Sequence, residues 1–85
     1  MVDPFVQAVQ DNLEKAAREL LRYISNNDLS PAEYKKLAKF MFGCMNQKFT
    51  IAARVERRGS GELGKVLEFI GRASEALLEI DNKRN

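Results

Sequence analysis

Histidine and tryptophan are absent from this chain, and cysteine occurs once, at position 44. Without histidine the commonest general base and the commonest nitrogen ligand for a metal are both missing. A single thiol excludes an intramolecular disulfide and fits a reducing compartment, so a cytoplasmic setting is expected. Two prolines and five glycines are too few breakers for a loop-rich chain. No apolar run approaches the roughly 20 residues of a membrane span. The opening Met-Val-Asp-Pro has neither a basic nor an apolar leader region, so no secretory signal is expected. Gly59, Gly61 and Gly64 follow no expected strand and match neither a dinucleotide nor a phosphate loop.

What is present is a helical pattern. The chain has 85 residues, of which 45% are apolar and 31% charged, enough for one globular domain. Asp3-Pro4 reads as an N-cap followed by proline at the first helical position. Val6, Val9, Leu13, Ala16, Leu20 and Tyr23 then keep a 3-4-3-4-3 spacing, one face of a helix to about Ser25. Asn26-Asn27 can close it in a left-handed C-cap. Ser30-Pro31-Ala32-Glu33 is a capping box, with Leu29 and Tyr34 placed as a hydrophobic staple, and it opens a second helix. Leu37, Ala38, Phe40, Met41, Phe42, Cys44 and Met45 cover almost its whole circumference, so this helix should be packed on several sides or face a second subunit.

Its far end is less regular. Gly43 followed by Asn46-Gln47-Lys48 allows a kink or short break. Phe49, Ile51, Ala53 and Val55 alternate with Thr50, Ala52, Arg54 and Glu56 as in a strand. Helix is preferred through Arg58, because the alanines at 52 and 53 propagate it and Arg57-Arg58-Gly59 reads as a C-terminus. Ser60 and Glu62 open a third helix carrying Leu63, Val66, Ile70, Ala73, Leu77 and Ile80, with Asp81 to Asn85 as a frayed tail. The expectation is an all-α antiparallel three-helix bundle, with helices at about 4–25, 31–58 and 61–81. The middle helix is the longest, about 42 Å against about 33 Å for each neighbour. Its surplus requires a bend or a second chain.

The charge is uneven. Residues 31–58 carry seven cations against Glu33 and Glu56, a net of +5, whereas the flanking segments are −2 and −1. Lys35, Lys36 and Lys39 stand at one end of the middle helix and Arg54, Arg57 and Arg58 at the other, about 30 Å apart. All six are candidates for contacting a partner or a phosphate, although Arg57 and Arg58 also suit a helix C-terminus electrostatically. Gly43, Gly64 and Gly71 would let a second helix approach closely, and with Phe42 and Phe69 they form a candidate oligomer seam. Their alternative role is close packing inside one bundle.

No catalytic constellation accompanies these features. Cys44 lies in an apolar run and reads as a core residue, and Glu68, Glu75, Glu79 and Asp81 read as a solvated face. The expectation is therefore a non-catalytic module with no cofactor or metal. It would be a homodimer that binds another protein as an adaptor or regulator. The alternative is a nucleic-acid-binding regulator using the arginines at 54, 57 and 58. A membrane-surface role does not fit, because the middle helix is apolar on too many sides.

Overall fold

The computed structural model describes residues 3–84. Three helices, α1 (Pro4–Asn26), α2 (Pro31–Arg58) and α3 (Gly61–Arg84), form an all-α bundle with no strand among the described residues. The principal extents are 43 × 18 × 17 Å, so the length of α2 sets the length of the molecule. The Tyr23 hydroxyl donates to Asp81 Oδ1 at 3.2 Å, and Arg84 Nη1 reaches Glu33 Oε1 at 3.3 Å. These bonds put the ends of α1 and α3 beside the start of α2, the up-down-up order that short loops impose.

The local punctuation follows from side-chain chemistry. Asp3 accepts from the Phe5 amide at 2.8 Å, and Pro4 occupies the first turn. At the start of α2 the Ser30 hydroxyl accepts from the Glu33 amide at 3.3 Å, while Glu33 Oε1 accepts from the Ser30 amide at 3.0 Å. This closed capping box satisfies two amides that otherwise lack helical partners. Gly59 ends α2 in the left-handed region at φ 82°, its amide donating to the Val55 carbonyl at 2.8 Å. Only glycine takes that backbone without a Cβ penalty.

Two local expectations need correction. Asn27 caps α1 from an extended backbone, φ −126°, and its side-chain amide donates to the Tyr23 carbonyl at 3.0 Å. The amide side chain thus supplies the carbonyl's partner, and no left-handed turn is needed. The tail from Asp81 is helical to Arg84, whose guanidinium bridges Glu33 and the Asp28 carbonyl. The preferred helical reading of residues 49–56 holds: α2 runs through Gly43 and on to Arg58 without interruption, so the short break allowed near Gly43 does not occur.

The core is one apolar cluster. Leu13 and Leu20 from α1, Leu37, Cys44 and Ile51 from α2, and Val66 from α3 supply its fully buried centre. Between α1 and α2 the seam is partly polar. Gln10 Nε2 donates to the Lys48 carbonyl at 3.1 Å, and Lys48 Nζ pairs with Glu14 at 3.1 Å.

The Glu33 carboxyl is held below the ordinary value of 4.5, chiefly by the Ser30 amide, with Arg84 adding attraction. A depressed folded-state value means that the stabilisation is present above 4.5 and disappears as pH falls through the lowered folded value. Glu33→Gln should therefore be less stable than wild type at neutral pH. The gap should close as acidification below 4.5 carries the pH through the lowered folded value. Urea unfolding followed by circular dichroism across that window would measure it, and a gap independent of pH would contradict the assignment.

Candidate interaction surface

α2 carries more apolar residues than its two neighbours can cover. A bundle helix buries an apolar stripe little wider than a quarter of its circumference against its partners. Leu37, Cys44 and Ile51, seven residues apart, fill that stripe. Apolar residues farther round the helix, past its α1 flank, lie outside that stripe. Phe42 is 66% exposed and Phe49 75%, with Leu21 of α1, 52% exposed, on the same side. Ala17, Leu21, Met41, Phe42 and Met45 line an open groove of about 260 Å³ between α1 and α2, with Glu14 and Arg18 at its rim. Unbranched, polarisable methionine side chains adapt to the shape of whatever lies against them.

One end of this surface is held by charge. Glu14 accepts from Arg18 Nη2 at 2.7 Å and pairs with Lys48, whose ammonium stands 6.0 Å from the Phe49 ring centroid. The hydrogen bond from Lys48 and the charges of Arg18 and Lys48 hold the Glu14 carboxyl below its usual range. The network positions Lys48 beside Phe49 without covering the ring.

The five candidate seam residues fall on three different faces. Phe42 and Gly43 are consecutive, so they diverge by about 100° around the helix and cannot serve one flat contact. Phe42 borders the α1–α2 groove. Gly43 faces α3, where a Cβ would come within 2.6 Å of the Phe69 ring. Phe69 in turn packs on Phe40 with ring centroids 5.6 Å apart. Gly43 therefore serves close packing between α2 and α3 inside the bundle. Gly64 and Gly71 lie on the outer side of α3 with open space where a Cβ would stand. Exposed Leu67 and Leu78 share that side, a feature the spacing of the core positions does not reveal.

The basic candidates divide as their spacing requires. Lys35, Lys36 and Lys39 are exposed near the start of α2, and Arg57 and Arg58 are exposed at its end. Half-buried Arg54 lines a groove between α2 and α3 together with Gln47, Glu62, Lys65, Glu68 and Arg72. Lys65 and Arg72 were not among the sequence candidates. Their seven-residue spacing on one flank of α3 was visible, but nothing local placed that flank beside Arg54. Three of these cations have carboxylate partners. Arg72 pairs with Glu68 at 2.9 Å, and Lys65 and Arg58 approach buried Glu62 at 3.6 and 3.8 Å. The result is a surface of mixed sign, in which a phosphate would compete with two carboxylates.

Cys44 is fully buried, and burial pushes its thiol up to about 11. The reactive thiolate is therefore scarce at neutral pH. Among the described residues no group of three or more potential ligands could hold a metal ion, and no helix is long and apolar enough to cross a membrane.

Two measurements check this geometry. Gly43→Ala should lower stability by about 1 kcal/mol, because overpacking against Phe69 outweighs the gain in helix propensity. In a Phe69→Ala background the same change should raise stability, and chemical unfolding of the four proteins completes the cycle. Iodoacetamide should label Cys44 slowly in the native protein near pH 8 and rapidly once denaturant unfolds it.

Comparison with protein-family models, with curated proteins and with solved structures returned no match.

Proposed function

We propose that this chain is a small non-catalytic protein-interaction module whose working surface is the apolar face where α1 and α2 meet. The observation that carries the reading is the exposure of Phe42 and Phe49 on one side of a helix whose opposite side is fully buried. Scattered exposed leucines are ordinary, but two phenylalanines beside a methionine-lined groove form a contiguous apolar patch of the kind found at interfaces. Glu14, Arg18 and Lys48 give it a charged rim, which favours orientation over indiscriminate adhesion.

The nucleic-acid reading has less support. Lys35, Lys36 and Lys39 lie at the opposite end of α2 from Arg54, Arg57 and Arg58, and Glu62 and Glu68 interrupt the cations around Arg54. A phosphate-tracking surface needs cations uninterrupted by carboxylates along the path of the backbone.

The test is capture from the source cell with tagged wild type and with Phe42→Ser/Phe49→Ser, each with and without nuclease. The expected result is a protein, another chain or an untagged copy of this one, retained by wild type, resistant to nuclease and lost with the double variant. Capture that nuclease abolishes and the double variant leaves unchanged would overturn the reading.

A further inference from the structure

We infer that the occupant of the exposed side of α2 is a second copy of this chain, docked antiparallel so that Phe42 of each copy meets Phe49 of the other. The inference rests on the reading of this face as an interaction surface and names its partner.

α2 contains two seven-residue series. Leu37, Cys44 and Ile51 form the buried one. The second runs Lys35, Phe42, Phe49 and Glu56, with Ala38, Met45 and Ala52 spaced between them on the same side. Residues repeating in this way present one continuous seam to another helix. This seam is apolar in its middle and carries opposite charges at its two ends.

That arrangement is self-complementary in one orientation. A two-fold axis crossing α2 between Met45 and Asn46 leaves Phe42 and Phe49 equally distant from it, and likewise Lys35 and Glu56. In such a contact residue i meets residue j and j meets i. Antiparallel pairing therefore sets phenylalanine on phenylalanine twice and lysine on glutamate twice. Parallel pairing would set Lys35 on Lys35 and Glu56 on Glu56, repulsion at both ends. Within one chain neither Lys35 nor Glu56 has an ion-pair partner among the described residues, so both are available for this role.

The exposed area is of the right order. Phe42, Phe49, Tyr34 and Leu21 are 66%, 75%, 54% and 52% exposed. At about 200 Å² for a large side chain they offer about 500 Å² per copy. A stable interface buries roughly 800 Å² per partner. Met41, Met45 and Ala38 beside the groove supply further surface. The second copy's α2 would lie along that groove, and the surplus apolar side of this helix would become the centre of a larger core.

Sedimentation equilibrium on the full chain tests the inference. Wild type should be dimeric in the micromolar range, and Phe42→Ser/Phe49→Ser should be monomeric with unchanged helicity, since both rings are exposed in the single chain. Lys35→Glu alone and Glu56→Lys alone should each weaken the dimer by about tenfold, because each places like charges opposite one another twice. The combined Lys35→Glu/Glu56→Lys chain should recover most of the loss, which parallel pairing would not allow. A dimer in which the combined swap is no better than either single change overturns the antiparallel docking. Wild type that stays monomeric to about 100 µM overturns the second copy as occupant. If such a monomer still captures a different protein in a Phe42- and Phe49-dependent way, the interaction-surface reading stands without it. If that capture is also absent, both readings fall.

Discussion

The packing of α2 depends on one constraint: a helix in a three-helix bundle has only two neighbours, and they cover only part of its circumference. Leu37, Cys44 and Ile51 use that coverage completely, all three being fully buried. Every other large apolar residue on α2 must lie at the edge of a neighbour or outside it. Phe40 and Gly43 find cover from Phe69 on the α3 side. Met41 and Met45 are half covered beside α1, whereas Phe42 and Phe49 remain outside.

The two flanks of α2 consequently have different characters. Toward α3, the absence of a side chain at Gly43 lets a phenyl ring settle against the backbone, and the groove beyond it is lined by Arg54 and by the paired charges Lys65–Glu62 and Arg72–Glu68. Toward α1, polar links at Gln10 and Glu14 hold the helices together, and the surface beyond them is greasy. Burial raises the Cys44 thiol and nearby cations lower the Glu14 carboxyl. The first makes the lone thiol a packing residue. The second keeps a charge at the border of the apolar groove at neutral pH.

Much of the fold was legible in the residues. Ser30 and Glu33 specify the start of α2 through bonds spanning three residues, and Gly59 specifies its end through a backbone conformation that glycine adopts readily. The 3-4 spacing of Val6 to Tyr23 and of Leu63 to Ile80 identifies the buried faces of α1 and α3. The strand-like alternation at 49–56 is compatible with the helix that the alanines at 52 and 53 favour, because Phe49 is exposed and Ile51 buried for reasons of helical angle, which a two-residue period mimics over a short run. The candidate surface was less legible. Phe42 and Gly43 stand together in the candidate seam, although adjacent helical residues diverge in direction. Lys65 and Arg72 went unnoticed because their relation to Arg54 is purely spatial.

By itself the sequence determined three helices, the caps at both ends of α2, and the core stripe of each helix, since capping and periodicity act within a few residues. It also determined that α2 has an apolar surplus. Tertiary structure alone decided where that surplus goes. Which flank of α2 meets Phe69 and which meets Glu14 depends on how helices distant in sequence settle around Leu37, Cys44 and Ile51. That choice shelters Gly43 and leaves Phe42 and Phe49 exposed, because steric exclusion and desolvation act on neighbours in space.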